Sequence, residues 1–338
     1  MSAPSQASRL GSSGTEAASV GVVGGGEFGR SLALAVARSA GTVLHYSRAA
    51  NPIETPAGGG VVHSTSDLAA LRDASLLFLA VPSPVVDDLA TRLDAHLDGR
   101  HMLVHVSRGL AALDDGLEAP ALVTLSERLR ALTACRRVGA LAGPLVPESL
   151  ATTIPGGAVI GTPFPEVAAA VRAALGGPSM RLYDTPDLLG VELASASVGV
   201  LAIAVGIAQG LDVGPGALAV LCTRGMSEAT RLGMKLGAST HTFAGLAGFG
   251  DLVACVAGDG RAELLLGQQL ARGTSVSAAL EQLGVHVEGV RLAPRMARFA
   301  ELTNVQAPIL AAIAGLVGGT LGPEAALASL MARIVHKE

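Results

Sequence analysis

The sequence predicts an α/β fold in which a doubly wound parallel sheet occupies the N-terminal half and an all-helical domain follows it. Two patterns carry this reading. Through the first half, short runs that are apolar at every position alternate with segments of helical periodicity. Such runs belong to strands joined by crossover helices in a sheet covered on both faces. From about Asp187 the pattern changes, and apolar residues recur at helical spacing almost to the end. A length of 338 residues is enough for two cores.

In chain order, residues 1–18 are rich in Ser, Ala and Gly and lack an apolar h-region, so they are expected to form a disordered tail and not a signal peptide. Residues 19–187 are read as the sheet domain, with strands over 19–23, 43–46, 76–81, 103–107, 138–141 and 158–161 and helices between several of them, such as 28–38 and 85–95. Residues 188–338 are read as the helical domain, with helices over 188–209, 216–236, 263–272, 276–283, 289–302, 308–316 and 323–335. Ser195 and Ser197 are read as small residues at a close helix contact, and Met226 and Met234 as core.

Composition removes several function classes. Hydrophobic residues make up 50% of the chain and charged residues 15%. The most apolar helical run, 198–208 (VGVLAIAVGIA), falls short of the roughly 20 residues a membrane span needs. It is therefore read as a buried helix, with no membrane span expected. The net charge is −4, no Lys/Arg-rich stretch is present, and two Tyr, six Phe and no Trp leave little for base stacking, so no nucleic-acid partner is expected. The cysteines Cys135, Cys222 and Cys255 show no CxxC spacing, which argues for a reduced, cytoplasmic setting without disulfides or a zinc site. The apolar composition and apolar C-terminal helices favour a homodimer.

The most specific local feature is Gly24-Gly25-Gly26-Glu27-Phe28-Gly29, which fits G-x-G-x-x-G between an expected strand and an expected helix. In that setting Gly24 permits the tight turn, Gly26 lets the backbone approach a pyrophosphate, and Gly29 allows close helix packing. The helix N-terminus, starting at Glu27 and Phe28, offers free N–H groups to phosphates. The motif predicts a Rossmann domain binding NAD or NADP. The second strand ends in Leu44-His45-Tyr46-Ser47-Arg48, without the acid that would hold a ribose 2′-hydroxyl. Ser47 and Arg48 are suited to a 2′-phosphate, which favours NADP.

Beyond this turn the chain resembles the bacterial NAD(P)-dependent glycerol-3-phosphate dehydrogenases. The resemblance rests on GVEL (190–193), TRGMSEATRLGMKLGA (223–238), TFAGLAGFGDL (242–252) and VEGV (287–290), in that order along the chain. It implies a Rossmann domain followed by a 6-phosphogluconate-dehydrogenase-like helical domain that closes over a phosphorylated three-carbon substrate. It also implies that Ala80-Val81-Pro82-Ser83 lies along the nucleotide, that Ala142-Gly143-Pro144 stands for an SGP turn, that Glu288 lies near the cofactor and that Asp251 belongs to the active site.

The positions that carry the family's chemistry differ. Its GVELxxxLKN motif places the proton-transfer lysine at Val198 and the following asparagine at Gly199. A second lysine position is Arg108, in Ser107-Arg108-Gly109, and a third is Glu148. The arginine of an R-N pair that holds phosphate and cofactor falls at Arg261, with Ala262 and Glu263 leaving no asparagine after it. Reducing a ketone creates an alkoxide that must be protonated as it forms, a task a buried lysine of lowered pKa can perform and Val198 cannot. An arginine in the place of a lysine keeps the charge but does not exchange protons at neutral pH. His105, two residues before Ser107, is the candidate replacement acid. The reading is a nucleotide-binding pseudoenzyme with a sensor, scaffold or regulatory role and a possible protein partner. The alternative is an active oxidoreductase acting on glycerol 3-phosphate and dihydroxyacetone phosphate or a related hydroxy/keto pair.

Overall fold

A computed structural model describes residues 19–56, 58–111, 122–258 and 260–331. The expected tail, 1–18, lies outside the described residues, as does the end of the expected helix 323–335.

Eight strands form one sheet: β1 (Val20–Val23), β2 (Thr42–Tyr46), β3 (Val61–Thr65), β4 (Leu76–Leu79), β5 (Met102–His105), β6 (Arg137–Ala142), β7 (Gly156–Gly161) and β8 (Met180–Thr185), in the order β3-β2-β1-β4-β5-β6-β7-β8. Every pairing is parallel except β6 with β7. The expected doubly wound parallel sheet is present, with this one antiparallel pair in it. Only the short helix α4 (Pro147–Ala151) lies between β6 and β7. That is too little chain structure for a crossover over the sheet face, and the strand returns antiparallel. Two strands were not expected, β3 and β8, and both sit at sheet edges. Their side chains alternate in exposure and include His63, Ser64, Arg181 and Asp184. A search for uniformly apolar runs passes over such edges, which carry polar residues on their free side.

On the sheet faces lie α1 (Glu27–Ala40), α2 (Val86–Asp94), α3 (Leu125–Leu132) and α5 (Pro165–Leu175). Glu27 begins α1, and Leu32, Ala33, Val36 and Ala37 turn its apolar face to the sheet before Gly41, at φ 83°, ends it. The helical part comprises α6 (Leu188–Gly210), α7 (Gly214–Lys235), α8 (Thr240–Ala244), α9 (Asp251–Val256), α10 (Ala262–Ala271), α11 (Val276–Leu283), α12 (Glu288–Leu302), α13 (Pro308–Val317) and α14 (Pro323–Met331).

Helix α6 organises this half. Asp187 caps it, accepting from Gly190 N at 2.9 Å, and the same carboxylate accepts from Ser239 N at 3.0 Å, tying α6 to α8. The helix is longer than the apolar run read from the sequence, and by length and composition it could cross a membrane. Yet 94% of its most apolar window is buried inside the protein, so it is the core helix of this fold. Val191, Val198, Val200 and Ile203 join Leu77, Leu79 and Leu103 of the sheet in one continuous core. Each such side chain contributes about 1.5–3 kcal/mol on burial. Ser195 and Ser197 are buried on α6, as expected. Met226 is buried, but Met234 is 54% exposed and is not a core residue.

Two glycines decide how closely α10 meets α6. A Cβ on Gly206 would lie 2.1 Å from the Leu264 carbonyl, and one on Gly267 would lie 2.1 Å from the Ile203 carbonyl. This close crossing brings the start of α10, with Arg261 and Glu263, against the middle of α6 at Gly199.

Candidate functional site

The glycine turn lies at the C-terminal ends of β1 and β4, where ligands bind in open parallel sheets. Gly24 sits at φ 143°, and a Cβ there would meet the Ala80 carbonyl at 2.1 Å. A Cβ on Gly29 would lie 2.2 Å from the Gly24 carbonyl, so Gly29 seats α1 on the turn. Gly26 differs, because nothing stands within 4 Å of a Cβ built on it. That glycine leaves open the ground over the N-terminus of α1, where no side chain caps the helix. His45, fully buried on β2, donates from Nε2 to the Gly24 carbonyl at 2.8 Å and fixes the turn from below. Burial holds the His45 imidazole below its ordinary value, consistent with a neutral donor.

A cavity of about 500 Å³ opens beside this turn. Gly24, Gly26, Ser47, Arg48, Val81 and Pro82 line it, as do Arg30, Asn51 and Arg92. The open backbone at Gly26, the uncapped helix start and three guanidinium groups around one cavity fit a dinucleotide pyrophosphate and an additional phosphate. Glu27, Phe28 and Gly29 do not line the cavity. Glu27 is exposed on the first turn of α1, whereas Phe28 packs on the sheet core.

Beyond the nucleotide cavity, the ends of β4, β5 and β6 face the starts of α9, α10 and α12. Glu288 accepts from Ser83 N at 2.7 Å and Ser83 Oγ at 2.6 Å, and it pairs with His286 at 3.2 Å. Burial pushes the Glu288 carboxyl up, but the hydrogen bonds from His286 and Ser83 outweigh it and hold the group below its ordinary value. The hydrogen bond to Glu288 raises the His286 imidazole in turn. Asp251 is fully buried between two arginines. Arg108 Nε and Nη2 donate to its two oxygens at 3.2 and 3.3 Å, and Arg261 Nη2 donates at 2.8 Å. Arg108 Nη2 also reaches the Gly143 and Leu145 carbonyls at 3.4 Å, beside Ala142 at the end of β6.

The structure thus brings Ser83, Arg108, Asp251, Arg261 and Glu288 into one neighbourhood, whereas Val198 is 0% exposed in the core. Glu148 stands apart, exposed on α4. His105 is not a free acid. It donates from Nε2 to Glu192 of the GVEL segment at 2.9 Å, and Ser126 N donates to the same oxygen at 2.9 Å. This buried trio locks β5, α3 and α6 together.

Sequence reasoning passed over Glu263. It is buried at the second position of α10, and its Oε1 lies 4.0 Å from a Cβ built on Gly199. Burial raises its carboxyl above the ordinary value, against the pull of Arg108 and Arg261. The available signal was an acid standing two residues after Arg261, in the stretch where the resemblance implies an asparagine. Arg30 and Arg92 were also missed. Arg30 directly follows the glycine motif on α1 and Arg92 lies on α2 well after the Ala80–Ser83 segment, and only the fold turns them toward the cavity.

Two family models match the chain: the NAD-dependent glycerol-3-phosphate dehydrogenase N-terminus over residues 60–168 and the C-terminus of the same family over residues 187–328. The glycerol-3-phosphate dehydrogenase [NAD(P)+] 1 of Sphingopyxis alaskensis is 32% identical over 332 residues, covering 94% of this chain and 97% of that protein. The glycerol-3-phosphate dehydrogenase [NAD(P)+] of Delftia acidovorans is 35% identical over 338 residues, covering 92% and 97%. Among solved structures, glycerol-3-phosphate dehydrogenase from Coxiella burnetii superposes with a TM-score of 0.83 at 25% identity, covering 94% of this chain and 99% of that one.

Proposed function

The chain belongs to the NAD-dependent glycerol-3-phosphate dehydrogenase family, and within it we propose a member that binds NADP or NAD but is impaired in interconverting glycerol 3-phosphate and dihydroxyacetone phosphate. The observation that carries the proposal is Val198, a fully buried apolar side chain at the position where the family resemblance places the proton-transfer lysine.

The nucleotide supplies or accepts hydride when bound. Around it, Gly24, Gly26 and the backbone N–H groups at the start of α1 hold the pyrophosphate, with the side chains of Glu27 and Phe28 turned away and Gly29 seating the helix. Ser47 and Arg48 hold the ribose end. Val81, Pro82, Ser83, Ala142 and Glu288 border the inner end, together with Arg261. Asp251 orients Arg108 and Arg261. Position 198 itself offers no group able to exchange a proton with an alkoxide, and losing a general acid/base costs roughly 10²–10⁴ in rate. Arg108, the degenerate second lysine, already gives four hydrogen bonds to Asp251, Gly143 and Leu145.

A role as nucleotide sensor, scaffold or regulatory protein follows from binding without efficient turnover. The proposal includes a division into a nucleotide domain (19–187) and a helical domain (188–338), a cytoplasmic location and a homodimer. The second reading is an active oxidoreductase on a related hydroxy/keto pair, and the buried Glu263 carboxyl beside Gly199 is the observation that favours it.

The experiment is a gain of function. Val198→Lys with Gly199→Asn is expected to leave dihydroxyacetone phosphate turnover low, because Arg108 stays tied and Glu263 lies against Gly199. Adding Arg108→Lys and Glu263→Asn is expected to raise it at least tenfold. A wild-type protein that all four changes fail to improve, because it already turns over at ordinary rates, contradicts the proposal.

A further inference from the structure

The nucleotide cavity has two walls, because the segments after β2 and β4 flank the β1 turn on either side. The wall after β2 presents Ser47, Arg48 and Asn51. Arg30 of α1 belongs to the same side, where its Nη2 donates to the Pro52 carbonyl at 3.4 Å. The opposite wall is α2 and the residue before it. Val85, Asp88, Leu89 and Arg92 recur at helical spacing and line the cavity as one stripe. Val85 and Leu89 suit the flat face of an adenine ring, and Arg92 stands in the last turn of the helix. Arg92 is held there only lightly. Its Nη2 donates to the Tyr46 hydroxyl at 3.4 Å, and its Nη1 faces Asp88 Oδ2 at 3.5 Å. The Arg92 and Asp88 side chains are 49% and 68% exposed, so water competes for the pair. The other acids nearby do not engage Arg92. Arg128 takes Asp87, from Nε at 3.0 Å and Nη2 at 2.7 Å, and the exposed Glu27 and Glu54 do not line the cavity. Among the described residues of the lining, three guanidinium groups face one carboxylate. This positive excess is one that an uncharged ribose does not use.

From this arrangement we propose that Arg92 is a second specificity residue for the nucleotide, reaching the adenosine 2′-phosphate of NADP from α2, opposite Arg48, and leaving Asp88 to do so. The proposal rests on the reading of the cavity as a dinucleotide site, and it adds a residue that distinguishes the two nucleotides. A guanidinium gives two parallel hydrogen bonds to the oxygens of a phosphate monoester, which carries nearly two negative charges. That arrangement is stronger than an exposed pair with a single carboxylate. NAD offers a neutral 2′-hydroxyl in the same place, so with NAD bound Arg92 stays on Asp88 and contributes little. Asp88 therefore competes with the 2′-phosphate for Arg92 and narrows the gap between NADP and NAD.

The test is calorimetric titration of the full-length protein with NADP and with NAD. Arg92→Ala is expected to weaken NADP binding about tenfold or more and to leave NAD binding within about threefold. Arg92→Lys keeps the charge without the planar fork and should fall between wild type and Arg92→Ala. Asp88→Asn removes the competitor and should tighten NADP binding about threefold, a gain that should vanish when Arg92→Ala is also present. A merely structural Arg92 would show no such coupling. Unfolding temperatures without nucleotide establish that the variants fold. Equal losses for both nucleotides in Arg92→Ala, or no loss for either, overturn the inference and leave the dinucleotide site standing. An Asp88→Asn variant that gains nothing, or keeps its gain without Arg92, does the same. A wild-type protein that binds neither nucleotide overturns the reading of the cavity as well.

Discussion

Arg108 and Asp251 meet at two points, Nε to Oδ2 at 3.2 Å and Nη2 to Oδ1 at 3.3 Å, across the boundary between the sheet and the helical part. A side chain at a position where the family resemblance implies a lysine is thereby committed to a buried carboxylate. Asp251→Ala would leave Arg108 and Arg261 without that partner. Breaking a buried pair in this way costs about 3–5 kcal/mol. The check is chemical denaturation, in which the midpoint should fall with little change in slope.

The cavity beside the glycine turn carries Arg30, Arg48 and Arg92. Charge-assisted hydrogen bonds contribute about 1.5–3 kcal/mol each, or roughly 10–100-fold in affinity. Arg48→Ala and Arg30→Ala should each weaken NADP binding by such a factor and leave NAD binding within a few-fold. Calorimetric titration of both nucleotides measures the difference, and equal losses for both would remove Arg48 and Arg30 from 2′-phosphate recognition.

Gly26 and Gly29 should separate binding from folding. A Cβ on Gly26 meets nothing within 4 Å, so Gly26→Ala should keep the unfolding temperature of the free protein yet abolish its rise with NADPH. A Cβ on Gly29 would stand 2.2 Å from the Gly24 carbonyl, so Gly29→Ala should lower the unfolding temperature without any ligand.

The His286–Glu288 pair predicts a bounded pH window. Glu288 is held below its ordinary 4.5, so its contribution is present above that value and is lost as pH falls through the lowered one. His286 is raised above 6.5, so its contribution is present below 6.5 and is lost as pH rises through the raised value. His286→Ala should flatten the decline of stability on the alkaline side and leave the acid side governed by Ser83 and Glu288. Unfolding midpoints across the pH range check both arms.

Much of this was legible in the chain itself. Strands buried on both faces, such as Leu76–Leu79, announce themselves as apolar runs, and α6 declares its start through Asp187. The edge strands Val61–Thr65 and Met180–Thr185 escaped because half their side chains face water. In the site, Val198 and Arg108 could be read as changes in motif residues, since their meaning depends on residue type alone. Glu263 could not, because its role depends on the Gly206–Gly267 crossing that sets α10 against α6. His105 looked available beside Ser107, and only the packing of α6 and α3 revealed that Glu192 holds it.

The central claim is that a sound nucleotide site serves a cleft that has lost the proton donor of the family reaction. The most direct measurement is NADPH oxidation by the wild-type protein with dihydroxyacetone phosphate, on a sample whose NADPH binding has been established by calorimetry. Binding with turnover at least a hundredfold below the roughly 1–10³ s⁻¹ of ordinary enzymes is the expected result. Turnover within that ordinary range would contradict the account.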